Sequence, residues 1–194
     1  MSRWQTSRHL VAGNLIGLAC MLGLVTFIPA IAGVVKILRE PWEREDIAKA
    51  IPRHIGRTFL RDLPMSLVSV LALAIGLSST VSVFGWLTGG ARVAALVALV
   101  VVYGAVGLLL AAYAHAAGTL PPTASRSEVM ELAMARIQAS PGRAALAVLA
   151  VWLTLPLWLF APAAVACGIT LPAWLHDRLW RPADADLLEF EAVS

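Results

Sequence analysis

Charge is what this chain has least of. Lys and Arg number 15 and Asp and Glu 12 in 194 residues, 14% together, against 59% hydrophobic residues and a mean hydropathy of +0.79. A soluble domain of this size needs more polar surface to cover its core, so lipid is the expected solvent. The formal net charge of +3 is too small and too confined to loops for nucleic-acid binding to be the main business. The acids, among them Glu40, Asp62, Glu128 and Glu131, fall outside the middles of the apolar runs. That argues against an ion-coupled transporter, which keeps ionisable groups at depth. The two cysteines, Cys20 and Cys167, lie far apart inside apolar runs with no partner at ligand spacing. The sequence offers no metal set, no Ser/His/Asp arrangement and no phosphate-binding glycine loop. No enzyme chemistry, cofactor or metal is therefore expected.

Long apolar runs are what is present. A bilayer core of about 30 Å takes about 20 apolar residues per helix, and four regions qualify: 10–38, 63–87, 91–117 and 143–180. The first and last are long for one crossing and are interrupted at Pro29 and at Pro156 and Pro162. The spacing predicts an all-α, polytopic transmembrane bundle of about six helices, 10–28, 30–39, 64–87, 91–117, 143–159 and 161–179. Its first and last hairpins are broken at proline. Four long kinked spans are the alternative. Residues 1–180 make one domain, and the acidic end 181–194 is a solvated tail. The N-terminal apolar stretch outruns the roughly 7–15 residues of a secretory h-region, despite an Ala30-Ile31-Ala32 step like a cleavage site, and is expected to be retained.

Basic residues set the orientation, because cytoplasmic loops carry the Lys and Arg excess. Arg3 and Arg8 precede the first region and Lys36, Arg39, Arg44, Lys49, Arg53, Arg57 and Arg61 follow it. Arg126, Arg136 and Arg143 flank a later loop, and Arg178 and Arg181 lie near the end. The turn at 88–92 holds Arg92 alone. Both termini are expected in the cytoplasm.

Between the first and second regions, Ile47, Ile51, Ile55 and Phe59 recur every four residues, and Lys49, Arg53, Arg57 and Arg61 do so two positions later. Two positions are about 200° apart on a helix, so the two sets form opposite stripes. This predicts an interfacial helix with a basic belt facing anionic headgroups or a protein partner, its regular part starting at Pro52. A second interfacial helix is expected at 125–142. There Ser125 and Glu128 have capping-box spacing, Met130, Ala133, Met134 and Ile137 make the apolar side, and Pro141-Gly142 stops it.

Asn14 is the clearest polar residue inside an apolar run, and Gly13 and Gly17 beside it form a small-xxx-small step that lets helices approach. Similar steps at Ala72–Gly76 and Ala164–Gly168 serve bundle packing and leave a homo-oligomer open. Ser78, Ser79, Thr80 and Ser82 are expected to hydrogen-bond between helices. His115, with Tyr113 before it, is read as a histidine bonded inside the bundle or at the interface. Trp4, Trp42, Trp86, Trp174 and Trp180 fit an aromatic belt.

"GNLIGLACMLGLVTFIPAIAGVVKILRE" and "PRHIGRTFLRDLPMSLVSVL" resemble the YesL-like family of bacterial membrane proteins, a domain of unknown function. The likeness is carried by Asn14, Pro29-Ala30, Lys36 and Arg39, then Arg53, Arg57, Phe59 and Arg61. "VMELAMARIQASPGRAALAVL" is similar to the family's later interfacial helix and span. The resemblance implies a multi-pass protein of the bacterial inner membrane with an accessory role beside carbohydrate ABC importers, ABC permease subunits being the implied partners. It supplies no catalytic residues. A small stand-alone permease for a neutral solute, with a path near the breaks at Pro29 and Pro156, is the rival expectation.

Overall fold

The computed structural model describes residues 26–39 and 47–154, and near the C-terminus 170, 171, 173–175 and 177–180. The expected first helix with Gly13, Asn14 and Gly17, the break at Pro156 and the tail 181–194 lie outside the described residues. The described residues are helical, with no strand among them. In chain order the helices are α1 (Phe27–Arg39), α2 (Ile47–Trp86), α3 (Gly89–Thr119), α4 (Arg126–Ala139) and α5 (Pro141–Thr154). Short helical pieces follow at 173–175 and 177–180.

Pro29 sits in the first turn of α1, so it belongs to a helix start rather than separating two helices at 28 and 30. A first-turn N–H has no intrahelical partner, and its loss to proline costs little there.

The larger difference concerns α2, a single helix of 40 residues that runs through both Pro52 and Pro64. The basic stretch is not a separate helix ahead of a span, nor does the helix begin at Pro52. It begins at Ile47, and the amphipathic third continues directly into the apolar two-thirds.

A two-residue break, Leu87 and Thr88, turns the chain from α2 into α3. Gly89 takes φ +55°, the left-handed region that glycine enters without a Cβ penalty. Arg92 is more than a topological marker. Its Nε donates to the Leu87 carbonyl at 2.7 Å and its Nη2 to that of Phe84 at 3.2 Å, satisfying carbonyls that the end of α2 leaves open.

The α2–α3 hairpin is apolar on its outside. Between Leu67 and Val102 it leaves Leu71, Leu73, Leu77, Val81, Phe84, Val97 and Val101 among its exposed side chains. Both helices are long and apolar enough to cross a membrane, and only 6% of the most apolar 18-residue stretch of each is buried. A soluble protein's core helix would be mostly buried instead. Ser78, Thr80 and Ser82 bond the carbonyls of Ile75, Gly76 and Ser78 on their own helix, not a neighbour.

The core lies at the opposite end of the hairpin. There α1 packs on α2 and α3, and α4 closes over α3. Residues 112–118 of α3 are all buried, and four of the seven are alanine. At Gly118 a Cβ would stand 2.6 Å from the Ala32 carbonyl oxygen and 2.8 Å from Val35 Cβ, so this glycine lets α1 touch the α3 backbone. Gly76 does the same for Tyr103 across the hairpin, at 3.0 Å.

In α4 the capping box is formed: Ser125 Oγ accepts from Glu128 N, and Glu128 Oε2 accepts from Ser125 N at 2.6 Å. Its inner face is the expected one at Met130, Ala133 and Ile137, which lie in or against the core, and departs from it at Met134. Val129, Ala133 and Arg136 are buried while Met134 is 40% exposed. The helix is turned so that an arginine enters the core.

Candidate functional site

Tyr113 and His115 lie two residues apart on α3, about 200° around the helix, and so serve two polar clusters on its opposite sides. Toward α2, the Tyr113 hydroxyl donates to Asp62 Oδ1 at 3.1 Å. Asp62 is fully buried and also holds the guanidinium of Arg61 by both oxygens, at 2.7 Å from Nε and 3.0 Å from Nη2. Arg61 reaches on to the carbonyls of Ala117 and Pro121, each at 3.4 Å. These carbonyls close α3 and open the α3–α4 loop, so one arginine ties α2 to both. Arg126 adds a fourth tie, donating to the Arg61 carbonyl at 3.1 Å.

On the other side, three segments converge on His115 of α3. Arg136 of α4 places Nη1 2.9 Å from His115 Nδ1, and its Nη2 donates to Thr119 Oγ1 at 3.0 Å. A guanidinium only donates. Nδ1 must therefore accept from Arg136, and Nε2 faces the other side of the cluster. That nitrogen lies 3.5 Å from Asp177 Oδ1 and 3.4 Å from Arg39 Nη2. Arg39 of α1 donates from Nε to the same Asp177 oxygen at 2.6 Å. Trp180, fully buried, lies against the imidazole with ring centroids 5.3 Å apart and planes at 60°.

The burial of these ions decides their role. Side-chain exposure is 2% at Asp177 and 1% at His115, with Arg136 also at 1%. Desolvating such groups is unfavourable, and breaking one pair costs about 3–5 kcal/mol because the remaining charge is stranded. The cluster joins α1, α3, α4 and the C-terminal helical pieces, whose contacting residues are up to 138 positions apart. It acts as a lock. Among the described residues no group of His, Cys, Asp or Glu could hold a metal.

The belt Lys49, Arg53, Arg57 and Arg61 divides. Lys49, Arg53 and Arg57 are exposed on the outer stripe of α2, opposite buried Ile51, whereas Arg61 is turned into the core. Lys36 and Arg39 part company too, for Arg39 points inward to Asp177 instead of to an interface. Trp180 is a core residue, not a belt residue, while Trp86 at the end of α2 is 86% exposed. His115 is bonded inside the bundle, one of the two settings expected for it.

Asp62, Arg136 and Asp177 were not singled out as site residues by sequence reasoning. Acids and arginines at span ends read as topology markers, and nothing local says that they meet. The nearest signal was the Tyr113–His115 pair, whose polar atoms need partners inside an alanine-rich helix.

The chain matches no protein-family model, no curated protein and no solved structure. The YesL-like likeness therefore rests on the short motifs of its own residues.

Proposed function

We propose that this chain is a non-enzymatic integral membrane protein, multi-pass in a bacterial inner membrane with both termini cytoplasmic, that serves as an accessory or assembly subunit of a transport complex. The observation that carries the reading is the exposed apolar hairpin, whose outer residues from Leu67 to Val102 have lipid as their natural solvent. The locked core at its base supports a scaffolding role, because it holds the exposed Lys49, Arg53 and Arg57 on a fixed surface toward anionic headgroups or a partner. Association with a carbohydrate ABC importer follows from the YesL-like resemblance alone, and its permease subunits are the partners to look for.

Affinity purification from native membranes in mild detergent, with mass spectrometry of what stays bound, tests this directly. Permease subunits at near-equal amounts would support the accessory role. A clean homomer would favour a stand-alone permease for a neutral solute. Arg53→Glu with Arg57→Glu is expected to abolish complex formation or membrane orientation while the spans stay helical; unchanged pull-downs and topology would refute it.

A further inference from the structure

Among the described residues, His54 is the one buried histidine that the core cluster does not use. It is 4% exposed, and neither ring nitrogen has a hydrogen-bond partner among the described residues. A buried polar group without a partner costs about 1–3 kcal/mol, so such a group in a well-packed fold points to a missing partner.

The ring lines a cleft of about 100 Å³ between α1 and α2, which Pro122 borders from the α3–α4 loop. One water needs only about 10–15 Å³ of such space, so a small polyatomic group fits. Lys36 of α1 and Arg53 and Arg57 of α2 line it with His54, and among the described residues no carboxylate lines it. Ala50 brings the first turn of α2 to the same cleft, and the positive end of a helix dipole favours an anion there.

We propose that this cleft binds a phosphate group, gripped by the Arg53 and Arg57 guanidiniums and hydrogen-bonded by the His54 imidazole. Guanidinium forks match phosphate oxygens, and a buried imidazole N–H supplies a directed donor that a diffuse basic surface lacks. The phosphate comes either from an anionic lipid headgroup or from solution. The lipid source rests on the membrane reading above; the soluble source does not.

The test uses the full chain in neutral detergent with two probes, phosphatidylglycerol followed by native mass spectrometry and inorganic phosphate followed by calorimetry. Arg53→Gln with Arg57→Gln is expected to weaken saturable binding about tenfold or more, as charged hydrogen bonds are lost. His54→Leu should weaken it as well. Arg178→Gln, which removes an exposed charge outside the cleft lining, should leave it unchanged. Binding of phosphatidylglycerol alone assigns a headgroup, and competition by inorganic phosphate assigns a free oxyanion. Saturable binding of neither probe, equal loss in Arg178→Gln, or wild-type binding in His54→Leu would each overturn the site. A chain that floats with vesicles yet binds neither probe would overturn the cleft and leave the membrane reading standing. Unchanged helical circular dichroism in the arginine variant separates lost binding from lost fold.

Discussion

The Nη1 of Arg136 lies 2.9 Å from the Nδ1 of His115, so a guanidinium from α4 donates to an imidazole of α3 in a place almost closed to solvent. This contact, with the one to Thr119, fixes which face of α4 turns inward. Arg136→Leu would leave His115 Nδ1 without its donor, and Thr119 Oγ1 would lose the Arg136 bond. The expected loss of stability is about 2–5 kcal/mol. Thermal unfolding in detergent checks it, with Met134→Leu on the exposed face as the near-neutral comparison. Equal melting of the two variants would refute the lock.

Asp62 and Tyr113 should separate by size of effect. Asp62→Asn strands the Arg61 guanidinium and is expected to cost about 3–5 kcal/mol. Tyr113→Phe removes one hydrogen bond from a carboxylate that keeps its bidentate arginine, and is expected to cost about 1–2 kcal/mol. Denaturant titration followed by circular dichroism ranks them. The reverse order would mean that the ion pair contributes little.

The glycines of α3 differ in a way packing alone predicts. A methyl at Gly118 would strike the Ala32 carbonyl and Val35, whereas nothing lies within 4 Å of one at Gly107. Gly118→Ala should destabilise by about 1–3 kcal/mol through overpacking. Gly107→Ala should be neutral or stabilise by up to about 1 kcal/mol through helix propensity. Protease resistance of the two proteins measures the difference.

Exposure of the hairpin makes a prediction about labelling. In native membranes, cysteines at Leu73 and Val101 should resist a water-soluble maleimide, while one at Lys49 should react. Full labelling at Leu73 and Val101 would mean that water, not lipid or partner, covers this surface.

Local features were legible in the sequence. Helix α3 spans 89–119 where 91–117 was expected, the capping box of α4 forms as spaced, and buried Ile51 opposes exposed Arg53 and Arg57 on α2. All three depend on residues within a few turns of one another. The continuity of α2 was harder to see, because proline usually interrupts a helix and two prolines suggested a boundary. Of the polar core, only the Tyr113–His115 pair was legible, and its partners were not. Arg39 and Asp177 are separated by 138 positions, and no periodicity encodes which span-end charges will converge. Arg136 misled further, since a basic residue on an amphipathic helix is usually assigned to the solvated face.

The continuity of α2 also has a mechanical meaning. At 1.5 Å per residue its 40 residues form a rod about 60 Å long, with the cleft near one end and the apolar hairpin at the other. Asp62, gripped from α3, makes a fulcrum along it. Whatever displaces the cleft end of such a lever must swing the apolar end or bend the rod at Pro64, where the helix lacks a backbone donor.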